Sequence, residues 1–167
     1  LTLVYVDATE GWIPIEEGTG NVGETFVCAS VSGSCNTIVT CGDYKVAVFK
    51  GPGNFTINGL ATNAPNNNVD YVVVAGGGAG GSGDPGGYTG GAGGAGGFRE
   101  SPGTATCYTA SPLGASPAAA ITVTAQSYPI TVGGGGAPSP TPTFGGSGSN
   151  SVFSTITSAG GGGGGGG

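Results

Sequence analysis

The sequence predicts an all-β chain. A short N-terminal strand–turn–strand module over residues 1–35 precedes a glycine-rich β domain over 36–167 that contains helices of the polyglycine II type. Three observations predict this. Short β-branched and aromatic runs recur along the chain, and no stretch shows a 3.6-residue apolar period. Three of the runs flow directly into glycine: "YVVVAGGGAGG", "YPITVGGGG" and "VFSTITSAGGGGGGGG". In the longest glycine tract, the residues that are not glycine recur every third position.

The elements follow in order. In "LTLVYVDATEGWIPIEEG", Leu3 to Val6 reads as a β-run, "ATEG" as a turn and "WIPIE" as a second strand. Pro14 places that strand at an edge. A lone two-stranded unit buries little apolar area, so it is expected to pair with another chain or module. A polar stretch around the cysteines comes next, then "TIVTCGDYKVAVFKG", "GNFTINGLA" and "VDYVVVAG". In "YKVAVFK", Tyr44, Val46 and Val48 share one face and Lys45, Ala47 and Phe49 the other. "GPG" at Gly51 to Gly53 predicts a tight turn that joins its two flanking runs as a hairpin. "APNNN" predicts a loop, and "AITVTAQSYPITV" and "SVFSTITSA" predict the last strands.

Composition narrows the class. Forty glycines and 11 prolines among 167 residues put Gly plus Pro at roughly 30%, the range of low-complexity sequence. Disordered chains are polar and charged, whereas this one is 7% charged with a mean hydropathy of +0.14. Three basic residues stand against nine acidic ones, a net charge of −6. Lys45, Lys50 and Arg99 cannot form the basic stripe that nucleic acid requires, and an anionic membrane surface is disfavoured likewise. No apolar run reaches the roughly 20 residues of a bilayer span. Leu1 to Val6 is too short for a secretory signal and lacks a basic flank. The chain has no methionine, so it is expected to be processed or part of something longer.

The tract from Gly76 to Phe98 carries the sharpest signal. Ala79, Ser82, Pro85 and Tyr88 are spaced by three; the register slips by one, and Thr89, Ala92, Ala95 and Phe98 continue it, with only Asp84 outside the two series. Collagen has the opposite pattern, with glycine at every third position. An extended left-handed helix with three residues per turn has no internal hydrogen bonds. Two glycine columns can then approach neighbouring helices and bond to them, while the third column carries side chains outward or toward a filler. Ordering glycine is costly in entropy, and lateral hydrogen bonds and packing offset that cost. The competing reading is a mobile glycine loop on a β domain.

Other chemistries fit less well. Gly76-x-Gly78-x-x-Gly81 after a strand matches the dinucleotide fingerprint, but Ser82 to Gly87 opposes the helix that the fingerprint needs. Without histidine there is no Ser–His or Cys–His pair. Carboxylates are scattered, and a glycosidase pair would need two of them, such as Asp70 and Glu100, to converge. No catalytic, cofactor or metal residue is expected. Cys28, Cys35, Cys41 and Cys107 lack zinc-site spacing. They read as buried or free thiols, or as a disulfide within 28–41.

"VDYVVVAGGGAGG", "GGFRES", "CYTASPL", "ITVTAQSYPITVGGGG" and "GSNSVFSTITSAGGGGGG" together resemble the glycine-rich domain of tailed-phage structural proteins, above all virion proteins of marine cyanobacterial phages. "TLVYVDATEGWIPIEE" is similar to the β-segment that often precedes it there. The resemblance covers most of the chain, apart from the stretch around Cys28, Cys35 and Cys41. It implies a β-sandwich-like domain in a non-enzymatic exterior virion fibre, a tail fibre or adhesin that contributes to host attachment. It also implies a homotrimer that meets other virion proteins and a host-surface glycan or protein, with neither nucleic acid nor membrane insertion. A capsid-attached fibre or decoration protein without receptor binding is the alternative, and an extracellular glycine-rich matrix protein a more remote one. Candidate receptor contacts are Asp84, Tyr88, Thr89, Tyr108 and Phe144, either as loop-tip side chains or as filler between glycine helices. Trp12 is the candidate interface anchor.

Overall fold

A computed structural model describes residues 3–5, 12–14, 25–42, 44–84, 86–87, 89–101, 119–140 and 143–167, with the backbone alone for 3–5 and 12–14. The described chain is built of short strands and extended segments, with a single 3₁₀ turn at Ala64–Asn67 as its only helical element. Among the described residues no helix is long and apolar enough to cross a membrane.

Strands β1 (Leu3–Tyr5) and β2 (Trp12–Pro14) pair antiparallel, Tyr5 opposite Trp12 and Leu3 opposite Pro14, as the strand–turn–strand pattern predicts. The polar cysteine stretch contains a strand that the sequence reading did not anticipate, β3 (Cys28–Val31). It lies on the N-terminal side of the boundary expected at residue 35, yet it is hydrogen-bonded to β6 (Gly53–Gly59) in the main sheet.

The hairpin expected across Gly51 to Gly53 is not formed. Instead β4 (Thr37–Cys41) pairs with β5 (Tyr44–Val48) through a two-residue connection at Gly42, whose φ of 58° favours glycine. The "GPG" segment is held in another way. The Asn36 side chain accepts hydrogen bonds from the Lys50 and Gly51 amides and donates to the Ser32 carbonyl. That clamp turns β6 away from β5 and toward β3.

The main sheet has the order β13–β12–β11–β6–β3, where β11 is Ser127–Thr131, β12 is Ser151–Phe153 and β13 is Ile156–Ser158. Period-two alternation sets its inner face: Phe55 and Ile57 of β6, Tyr128 of β11 and Phe153 of β12 are buried. Pro129 lies in β11 without breaking it, because the ladder to β12 begins one residue later at Ile130. Two smaller pairs complete the β structure, β7 (Asn68–Val69) with β10 (Ile121–Thr122) and β8 (Val72–Val74) with β9 (Phe98–Glu100).

The β8–β9 pair lies against β12 and β13. Tyr71, Val73 and Val123 join the inner face there to form the core. Phe153 is its hub, with edge-to-face contacts to Phe55, Tyr71 and Tyr128 at centroid distances of 6.1, 6.3 and 6.2 Å.

Five extended glycine-rich segments continue the strands: I (75–84) leaves β8, II (89–97) returns to β9, III (132–140) leaves β11, IV (143–150) returns to β12 and V (159–167) leaves β13. Strand order is inherited. Segments III, IV and V bond in sequence as β11, β12 and β13 do, and segments I and II bond as β8 and β9 do.

The core geometry gives a direct expectation. Phe153→Ala removes three ring contacts and leaves a cavity, and should destabilise the protein by about 3–5 kcal/mol. Val74→Ala, at an exposed position on β8, should change stability by less than about 1 kcal/mol. Urea denaturation of both variants checks this.

Candidate functional site

The site is the end of the bundle farthest from the sheet, and what holds it there is the hydrogen bonding along the segments. Segment I is central. The amides of Ala75, Gly78 and Gly81 donate to the carbonyls of Gly97, Gly94 and Gly91 in segment II. The amides of Gly76, Ala79 and Ser82 donate to Ser149, Gly146 and Thr143 in segment IV. The carbonyls of the same three residues accept from Gly161, Gly164 and Gly167 in segment V. Every series advances by three residues. Segments II and V are joined in the same way, with Gly91, Gly94 and Gly97 donating to Gly165, Gly162 and Ala159 at 2.7–2.8 Å.

Backbones that bond at this density on several sides leave no room for side chains. A Cβ built at Gly78, Gly81, Gly90, Gly93, Gly161 or Gly164 would fall under 3.0 Å from a neighbouring carbonyl oxygen. None of these glycines has a positive φ, so glycine is required there for space and not for conformation. Gly162 and Gly165, in the same tract, have nothing within 4 Å of such a Cβ. Side chains appear where a column opens. Ala92, Ala95 and Phe98 are exposed, as the outward-column reading predicts. Ala79 and Ser82 are half-buried, and Ser82 Oγ donates to the Ser139 carbonyl of segment III at 3.3 Å.

Polar side chains also replace missing backbone acceptors. The Gly160 amide donates to Asn150 Oδ1 at 2.9 Å and the Gly163 amide to Ser147 Oγ at 3.4 Å. Both donors and both acceptors are three residues apart. The spacing of Ser147 and Asn150 in "GSGSNS" is the signal that could have identified them in advance.

At the far end, segments I and II meet at a turn in which the Gly87 amide donates to the Asp84 carbonyl at 3.1 Å. Gly87 has φ 102°, a conformation that favours glycine. Segments III and IV meet at a second turn, where Ser139 Oγ lies 2.5 Å from Thr143 Oγ1 and the Thr143 hydroxyl also donates to the Pro140 carbonyl. Ser82 ties the two turns together, because its amide donates to the Thr143 carbonyl. Its own carbonyl accepts from Gly167.

Three sequence-predicted contacts therefore share one end. Asp84 and Thr89 are exposed at the first turn, and Phe144 is 75% exposed at the second. Asp84 is the one charged side chain among the described residues of this tip. Tyr88 and Tyr108 lie outside the described residues, as does the side chain of Trp12 on β2. Asp70 and Glu100 lie at the opposite end, beside the sheet. Asp70 is exposed and accepts from Ser101 Oγ at 3.0 Å, while Glu100 is buried.

Cys28, Cys35 and Cys41 are free thiols, and all three are exposed rather than buried. The disulfide considered within 28–41 is thus not formed, and Cys107 lies outside the described residues. Among the described residues no cluster of His, Cys, Asp and Glu could hold a metal ion.

A family model described as a glycine-rich domain matches residues 51–167. The chain belongs to the glycine-rich domain family. The match begins at the Asn36-clamped turn and takes in β6 through β13 with all five segments, so it covers the bundle and the main sheet apart from its edge strand β3. No curated protein and no solved structure matches the chain.

Adjacent glycines in one tract should respond oppositely to a methyl group. Gly164→Ala should destabilise the glycine-rich domain by about 1–3 kcal/mol through overpacking. Gly165→Ala should be neutral or stabilise it by up to about 1 kcal/mol, because it restricts the unfolded chain. Thermal melts of the two variants decide the matter, and equal effects would mean that the tract is not packed.

Proposed function

We propose that segments I to V are polyglycine II-type helices and that the glycine-rich domain, in a β-sandwich-like arrangement, forms an exterior fibre segment of a bacteriophage virion. In this reading the tip contributes to attachment at the host surface. The observation that carries the proposal is the convergence of Asp84, Thr89 and Phe144 at one end of a bundle whose backbone bonds repeat along its length. Such a bundle acts as a spacer: the sheet anchors one end and the side chains at the other are held away from it.

The chemistry of the tip suits surface recognition better than catalysis. Phe144 offers an apolar ring, Asp84 a carboxylate and Thr89 a hydroxyl, which together fit a glycan or a protein loop. A homotrimer would place three tips side by side and raise weak single contacts to a useful avidity.

The test is competition. The purified protein, added to host cells, should block adsorption of the virions that carry it. Phe144→Ala combined with Asp84→Ala should weaken that block by at least about tenfold, roughly 1.4 kcal/mol, with an unchanged melting temperature. A full block by the double variant would remove the tip from the contact. Labelling of the chain in intact particles separates the two fibre readings, since a position on the head would favour the capsid-attached fibre.

A further inference from the structure

The amides of segment V leave it in three directions, because its bonds repeat every three residues. Those of Gly161, Gly164 and Gly167 donate to segment I, and those of Gly160 and Gly163 donate to Asn150 and Ser147 of segment IV. The third column, Gly162 and Gly165, faces neither. Both residues are exposed, and their amides donate to nothing among the described residues. Segment II borders segment V on the remaining side. Its carbonyls at Gly91, Gly94 and Gly97 accept from segment I, while those of the exposed Ala92 and Ala95 accept no amide. The Ala95 carbonyl oxygen lies toward segment V, 2.7 Å from a Cβ built at Gly161. The two walls are in step, because the Gly94 and Gly91 amides bond the Gly162 and Gly165 carbonyls. A free amide on one wall therefore stands beside a free carbonyl on the other, and the pair repeats three residues on.

Among the described residues nothing requires glycine at 162 and 165. Neither has a positive φ, and a Cβ on either would meet nothing within 4 Å. Segment II carries Ala92 and Ala95 at its own exposed column. Ordering glycine costs entropy that alanine would spare. The cost has a purpose if a further backbone approaches this column as closely as segments I and II approach Gly161 and Gly164.

We propose that the furrow between segments II and V takes up an extended glycine-rich segment of another chain, with three residues per turn, as a sixth member of the bundle. Its carbonyls would accept from Gly162 and Gly165, and its amides would donate to Ala92 and Ala95. The repeat selects this occupant. Three residues of such a segment advance about 9.3 Å, in step with the free groups on both walls. A β-strand repeats every two residues, at about 6.6 Å, and falls out of step. Glycine is needed at the two columns that face the walls, a pattern that "GGAGGAGG" of segment II itself displays. Recognition is by backbone addition to an open edge, as an added strand extends a sheet. This inference is independent of what the tip binds.

Titration of the isotope-labelled full chain with a synthetic peptide of residues 89–98, TGGAGGAGGF, tests it by NMR. At saturating peptide the amide signals of Gly162 and Gly165 should shift, and their hydrogen exchange should slow by at least about tenfold. Gly161 and Gly164, already bonded, should exchange as before. A peptide with alanine and glycine interchanged should not bind. Gly162→Ala combined with Gly165→Ala should keep the melting temperature of the chain and weaken peptide binding by at least about tenfold, because the methyl groups stand where the added backbone would lie. Unmoved signals at Gly162 and Gly165, equal binding of the interchanged peptide, or undiminished binding by the double variant would each overturn the proposal.

Discussion

The structure depends on one constraint: peptide groups of separate segments must approach closely enough to bond on several sides at once. Segment I does this with segments II, IV and V, and through Gly77 and Gly136 with segment III. The bonded amides and carbonyls of segment I recur every three residues toward each neighbour. A neighbour can satisfy them only where no Cβ intervenes. That is why glycine at 78, 81, 161 and 164 is a spatial requirement, distinct from the conformational requirement at Gly33, Gly42 and Gly87, where φ is positive. Ordering so much glycine is entropically costly, and the lateral bonds offset the cost as a set, since each segment relies on its neighbours for partners.

The β structure makes that set possible by fixing the starting positions. Neighbouring strands in a sheet are about 4.8 Å apart. Segments that leave β11 and β13, and one that enters β12, therefore begin already side by side. The β8–β9 pair places segments I and II over that row. Junction side chains keep the handover tight: Ser151 Oγ accepts from the Gly133 amide at 2.9 Å where segment III begins, and Asn150 receives the Gly160 amide where segment V begins. The aromatic hub at Phe153 lies directly behind these junctions. Packing of a few rings thus sets the register of a bundle that has almost no side chains with which to set it.

Much of this was legible in the sequence, for a physical reason. The three-residue spacing of Ala92, Ala95 and Phe98 reports an outward column, and those residues are exposed. The flow of strands into glycine reports the continuity of strands and segments. What the spacing could not report is which segment is central. Ala79 and Ser82 have the same spacing, yet they are half-buried beside segment III, because burial of a column depends on how many neighbours surround it. The hairpin expected at Gly51 to Gly53 failed for a related reason. Gly-Pro-Gly signals a turn but not its exit direction, and Asn36, 15 residues upstream of Gly51, sets that direction through its side-chain amide. Strand β3 escaped notice because its alternation places only Ala29 and Val31 inward, too weak a pattern among serines and cysteines.

A scaffold held by its backbone has a consequence for the tip. In most β domains a loop side chain is coupled to the core through packing, so that changes in surface chemistry disturb stability. Here the bonds that hold the tip run along the main chain to Ser82, Thr143 and Gly167, and Asp84, Thr89 and Phe144 lie outside them. The hydroxyls of Ser82, Ser139 and Thr143 are the exception, since they join the two turns. The tip therefore divides into three hydroxyl residues whose chemistry is fixed by the fold and three outward side chains whose chemistry is free of it. That division is what a recognition surface requires, and it arises here because glycine has removed side chains from the task of holding the structure together.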